Sequence, residues 1–178
     1  MKVSKKIFCA TLLLICTINL PAQVGKIYLS EDFEKTVSLH TPPESWAAES
    51  YSDFWFFQNG GYEGGGYHHP SLAHGGSYNA LFKYSASVSS KLLTPTIDLR
   101  GTIKPVLTFW HAQELRGTIN DKLKVFYRTS TSSPDWVELD NYVNPTSGWV
   151  QREIILPDGA KTQFCQIAFE GSSQNVSW

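Results

Sequence analysis

The chain has 178 residues, with 15 Lys and Arg against 16 Asp and Glu and a net charge of −1, which is one domain's worth of sequence with nothing strongly basic in it. That balance excludes a nucleic-acid phosphate binder, which needs clustered Lys and Arg. Three cysteines in a chain this long also exclude a small fold held by disulfides, because a domain of this size buries about two-thirds of its unfolded surface without staples.

The first residues carry Lys2, Lys5 and Lys6, then an uncharged run from Ile7 to Leu20, then Pro21-Ala22-Gln23. This is the order of a secretory signal peptide, with cleavage expected after Ala22. The apolar run is about 14 residues against the about 20 that a spanning helix needs, so no transmembrane segment is expected. Cys9 follows Phe8 and Cys16 follows Ile15, neither of which is the small residue that precedes a lipidated cysteine. Cleavage leaves residues 23–178 as a single domain with one cysteine, Cys165, and a net charge of −4 from 12 Lys and Arg against 16 Asp and Glu.

From Ile27 onward the sequence is a series of short β-type runs separated by Gly, Pro, Ser and Asn, with no amphipathic helix. Ile27 to Phe33 is read as the first run, and Pro42-Pro43 breaks the chain before Phe54-Trp55-Phe56-Phe57, which Asn59-Gly60-Gly61 ends as a turn. Residues 58–77 form a long, Gly-rich connection, the kind of loop that serves function in a compact domain. Ser77 to Tyr84 alternates, with Tyr78, Ala80, Phe82 and Tyr84 on one face.

Lys91 to Thr94 and Ile97 to Leu99 flank Pro95, Arg100-Gly101 supplies a turn, and Val106 to His111 is a further strand. Asp121 to Arg128 sets Leu123, Val125 and Tyr127 against Lys122, Lys124, Phe126 and Arg128, as in a sheet with one wetter face. Trp136 to Leu139 and Trp149 to Leu156 follow, the second with Val150, Ile154 and Leu156 inward and Gln151 and Glu153 outward. In the last strand, Gln163 to Glu170, Cys165 shares a face with Ile167 and Phe169 and is therefore a buried structural thiol. Many short strands at such spacings predict an all-β, two-sheet sandwich or barrel.

Asp32-Phe33-Glu34, Pro43-Glu44-Ser45-Trp46, His74-Gly75-Gly76-Ser77, Leu93-Thr94-Pro95, Leu107-Thr108-Phe109-Trp110, Val125-Phe126-Tyr127, Trp149 and Ile167-Ala168-Phe169-Glu170 occur in that order. Together they resemble the cleaved-adhesin or choice-of-anchor J domain of secreted bacterial proteins and the related MAM domain. The resemblance implies an antiparallel jelly-roll sandwich of the concanavalin A-like type, part of a larger secreted or cell-surface protein, with structural calcium. It also implies a closing strand after Phe169-Glu170-Gly171, so the domain is expected to be C-terminally incomplete. By the same resemblance Glu34 is a calcium ligand, with Asp32 and Asn79 as added oxygen donors.

Catalytic signatures are weak. His68, His69, His74, His111 and Glu114 do not form a His-Glu-x-x-His set, and there is no Gly-x-Ser-x-Gly elbow or phosphate loop. Paired carboxylates for glycoside hydrolysis would have to face one another across a cleft, which sequence does not reveal for Asp53, Glu63 or Glu114. With six Trp, eight Tyr and ten Phe, the chain carries more aromatic surface than a core requires. Tyr62, Tyr67, His68 and His69 of the loop, with the strand aromatic Trp55, are the candidates for an exposed ligand patch, whereas Trp46, Trp110, Trp136 and Trp149 are read as core. The expectation is a secreted, non-catalytic module binding a glycan or an extracellular protein. A glycoside hydrolase of concanavalin A-like fold and a structural spacer domain are the alternatives.

Overall fold

The structure, a computed structural model, describes residues 25–36, 38–49, 54–61, 70–83, 87–113, 115–116, 119–132 and 135–173. Its strands are β1 (Ala47–Ala48), β2 (Trp55–Gln58), β3 (Asn79–Phe82), β4 (Val88–Leu93), β5 (Val106–His111), β6 (Leu115–Arg116), β7 (Ile119–Asn120), β8 (Lys122–Arg128), β9 (Val137–Tyr142), β10 (Val150–Ile155) and β11 (Gln166–Ser173). Every pairing among them is antiparallel. The all-β class expected from the sequence is therefore the one observed.

One layer is a five-stranded sheet in the order β1-β4-β11-β8-β9. The late strand β11 lies at its centre, with Phe169 between Leu92 of β4 and Val125 of β8. The facing layer consists of two separate pairs, β10-β5 and β2-β3. Val125, Tyr127 and Ile167 of the five-stranded sheet, with Cys165 just before β11, pack against Ile154 and Leu156, and Leu107 and Phe109 complete this half of the core. Leu92 packs against Trp55 and Phe57, with Ala80 and Phe82 beside them, in the other half. Phe169 contacts both clusters and meets the Phe109 ring edge-on at 5.1 Å.

Period-two patterning accounts for these faces. In β8, Val125 and Tyr127 are buried while Lys124, Phe126 and Arg128 alternate outward. The outward side chains form a row of alternating charge across the sheet. Glu49 stands 3.7 Å from Lys91, Lys91 is 2.6 Å from Glu170, Glu170 pairs across strands with Lys124, and Lys124 is 2.7 Å from Glu138. The ammonium groups of Lys91 and Lys124 also flank the Phe126 ring.

Three details differ from the sequence reading. The run from Ile27 to Phe33 is not a strand: Glu31 and Asp32 accept hydrogen bonds from the backbone N–H groups of Phe33 and Glu34, and Phe33 turns left-handed with φ 64°. These short carboxylates compete with the ladder for the backbone and set a turn instead. The strand begun at Trp136 starts at Val137 and runs on to Tyr142, and the last strand extends to Ser173. Residues 1–22, expected from the sequence to be a signal peptide, lie outside the described residues, among which no helix is long and apolar enough to cross a membrane.

Candidate functional site

The connection between β2 and β3 spans the end of one strand pair, and its described ends are held by side chains. Glu34, carried round by the turn at Phe33, accepts two hydrogen bonds on Oε1, from the N–H groups of Ser77 at 2.7 Å and Tyr78 at 2.8 Å. Gly76, at φ 69°, lies so close that any Cβ there would run into the Glu34 carboxyl. The Asn79 side chain is buried and bonds Gly60 twice: its Oδ1 accepts from Gly60 N at 2.7 Å, and its Nδ2 donates to Gly60 O. Gly61 N donates to Pro70 O, and Asn59 Oδ1 accepts from Ala73 N.

Farther along, the same segment lies over the outer face of the β5-β10 pair. His74 stacks on Trp110 with ring centroids 3.7 Å apart and planes 19° from parallel, and Trp149 meets His74 edge-on. The Trp149 indole donates to Leu72 O at 2.9 Å. A segment with many backbone polar groups is in this way tied at five points to rigid strands and turns.

Beside this anchored segment is a recess of about 330 Å³, lined by Leu39, Phe57, Gln58, Asn59 and Tyr78 together with Thr36 and Ser38. Tyr78 and Leu39 are each more than two-fifths exposed. Gln58 donates through Nε2 to Gly61 O and Asn59 accepts on Oδ1, so Gln58 Oε1 and Asn59 Nδ2 have no partner among the described residues. The lining thus offers one aromatic wall, two half-used amides and hydroxyl groups, a donor and acceptor mixture suited to a polar ligand with an apolar face. A second recess, about 250 Å³, lies at the far end of β8 between Tyr127, Ser130 and Val137.

Of the residues singled out from sequence, Tyr62, Tyr67, His68 and His69 lie outside the described residues, as do Asp53, Glu63 and Glu114. Trp55 requires correction as an exposed platform. It is 4% exposed, packs edge-on against Phe82 at 5.4 Å, and belongs to the core because β2 turns its odd-numbered residues inward. Trp110 requires the opposite correction: it is 44% exposed, on the face of β5 away from Phe109. Its alternation with Leu107 and Phe109 was the sequence signal for that. Tyr78, Gln58 and Asn59 were not selected as ligand-facing residues, since their convergence depends on the pairing of β2 with β3.

Asp32, Glu34 and Asn79, the three oxygen donors expected for a cation, differ in how their oxygens are used. Asp32 Oδ2 and Glu34 Oε2 have no partner among the described residues, whereas Asn79 spends its oxygen on Gly60. No group of three or more His, Cys, Asp or Glu side chains gathers among the described residues.

The described strands thus define a two-layer antiparallel β-sandwich. The particular likeness is to the crystal structure of the K1 cleaved adhesin domain of Lys-gingipain (Kgp) from Porphyromonas gingivalis W83, with a TM-score of 0.52 and 16% sequence identity over 84% of this chain and 98% of that one. No protein-family model matches the chain, and no curated protein matches it.

Proposed function

We propose that this chain is a secreted, non-catalytic binding module that takes a glycan in the recess walled by Tyr78. The observation that carries the reading is the lining itself: an aromatic wall beside amide and hydroxyl groups with unused hydrogen-bonding capacity, and no carboxylate among the described lining residues. A sugar stacks its C–H face on an aromatic ring and exchanges hydrogen bonds with such amides. The likeness to an adhesin domain supports a recognition role, and the apolar N-terminal run supports export.

The test is retention on a glycan array and on an array of extracellular proteins. Tyr78→Ala and Asn59→Asp, which keeps the Oδ1 acceptor for Ala73 N and removes the Nδ2 donor, are expected to lower glycan retention about tenfold or more, the effect of losing a contact worth about 1.4 kcal/mol, while leaving the melting temperature unchanged. Retention on glycans by both variants overturns the site, and binding confined to the protein array replaces the glycan with a protein ligand. Release of reducing sugar from a retained glycan would replace the module with a glycoside hydrolase.

A structural calcium ion at Asp32 and Glu34 belongs to the same reading. It is supported by the two carboxylate oxygens that have no described partner, on the turn that ties residues 32–36 to 76–78. When bound, the ion adds a positive charge that these oxygens neutralise. Chelator is expected to lower the melting temperature and added calcium to restore it. An unchanged melting curve removes the ion.

A further inference from the structure

Away from the recess, three side chains on three strands meet inside the sandwich. The β5-β10 register pairs Val150 with His111 and Arg152 with Phe109, so His111 and Arg152 are diagonal neighbours on the core-facing side of that pair. Both lie against the ring of Tyr142 on β9, His111 with ring centroids 5.2 Å apart and the Arg152 guanidinium carbon 4.7 Å from the ring centre. His111 is 5% exposed.

The protonation of the imidazole follows from its neighbours. Gln113 Nε2 donates to the backbone oxygen of Asp121, so Gln113 Oε1 is an acceptor, and the imidazole Nε2 that it meets at 3.1 Å carries the proton. Nδ1 is then a bare lone pair. It is buried and has no partner among the described residues, and the same is true of the Arg152 Nε–H. One buried acceptor and one buried donor are therefore unpaired beside a single aromatic ring. Burial and the nearby Arg152 both lower the pKa of His111, which keeps the ring neutral and the lone pair available.

We propose that His111 Nδ1 and Arg152 Nε form a binding site for one hydroxyl oxygen, which donates its proton to Nδ1 and accepts the N–H of Arg152. A carboxylate would satisfy Arg152 and leave Nδ1 without a donor. A cation is opposed by the guanidinium. An O–H group alone supplies both halves, and it has two sources: water, or an alcohol group of a ligand entering at the end of the sandwich. The loops above this point are already joined, since Gln113 N donates to Thr146 Oγ1 and Thr146 N to Gln113 O. The site depends on the β5-β10 register and not on the recess at Tyr78, so failure of the glycan reading leaves it standing.

Nitrogen-15 spectra of the histidine rings, with hydration cross-peaks recorded on the intact protein at neutral pH, test the assignment. The expected result is a protonated Nε2, an Nδ1 resonance displaced from the value of a histidine whose lone pair is unbonded, and a cross-peak from the ring to long-lived water. Titration with methyl α-mannopyranoside separates the sources: persistence of the water cross-peak identifies water, and its replacement by sugar protons identifies a ligand hydroxyl. In Arg152→Met the cross-peak is expected to be lost while the Nε2 bond to Gln113 remains. An unbonded Nδ1 with no cross-peak in either arm, a ring protonated on Nδ1, or a cross-peak that survives in Arg152→Met overturns the proposal.

Discussion

Glu34 shows how much structure one carboxylate can organise. Its Oε1 neutralises two backbone N–H groups that belong to a segment more than forty residues away. Both bonds are exposed, so water meets the two donors once the acceptor is removed, and the net contribution is about 0.5–1.5 kcal/mol each. Glu34→Ala is therefore expected to lower stability by about 1–2 kcal/mol in urea denaturation and to loosen the wall carrying Tyr78. Glu34→Gln keeps a neutral acceptor and should lose less than Glu34→Ala. Equal losses in the two variants would mean that packing, not the hydrogen bonds, is what matters there.

His111 makes a residue-scale prediction about pH. Its folded-state pKa is depressed below the ordinary 6.5, so the unfolded chain takes up the proton first as pH falls. The associated stability is fully present above about pH 6.5 and is lost on acidification below it. Unfolding free energies measured between pH 7 and 5 should decline for the wild type and decline less steeply for His111→Gln. Identical slopes would remove His111 as the cause. Cys165 is simpler: burial pushes its thiol pKa up to about 11, and it is wholly buried. A thiol reagent should label it only on unfolding.

At the scale of elements, β11 holds the two halves of the core together. It pairs with β4 on one side and β8 on the other, and Gly171 leaves room for the Phe82 ring from the facing layer. A Cβ at position 171 would lie inside the space of that ring. Gly171→Ala is expected to cost about 1–3 kcal/mol as an overpacked core, with Phe82→Leu in the same chain restoring part of it. Additive losses in a double-mutant cycle would show that the two positions do not meet. The outward row from Glu49 to Glu138 alternates three carboxylates with two lysines on the opposite face of this sheet, with Lys91 and Glu170 each only 17% exposed. Its charges are already paired with one another, which directs the search for ligand contacts to the loops at the end of the sandwich.

For the whole molecule, the sandwich supports the proposed sites at the ends of its strand pairs. The recess at Tyr78, the stacked His74 and Trp110, and the His111 and Arg152 pair all stand where β2, β3, β5 and β10 end or begin. Loops held at several points by strand side chains lose little further freedom on binding, which favours affinity. Removal of calcium is the whole-molecule test of that rigidity, because an ion at the turn of Asp32 and Glu34 would act on the recess wall through Ser77 and Tyr78.

Strand positions and faces were legible in the sequence wherever side chains alternate with a period of two. Val106 to His111 was read with its observed bounds, and the inward set of Val125, Tyr127, Cys165 and Ile167 followed from spacing alone. The same periodicity also set Trp110 on the face of β5 opposite Leu107 and Phe109, but its residue type argued for the core. Alternation says which residues share a face. It does not say which face meets another layer.

Burial of Trp55, the second hydrogen-bonding role of Asn79, and the convergence of Gln58, Asn59 and Tyr78 were decided by tertiary structure, because each depends on partners distant in sequence. The left-handed turn at Phe33 belongs with them. An aromatic residue accepts that conformation only where surrounding contacts hold it, here the rings of Trp46 and Phe57 at 5.6 and 5.8 Å. The sequence by itself determined an all-β protein with a buried cysteine and a long Gly-rich connection, since these rest on local patterning. Which side chains face a ligand was left to the packing of one strand pair on another, a long-range property that no local pattern encodes.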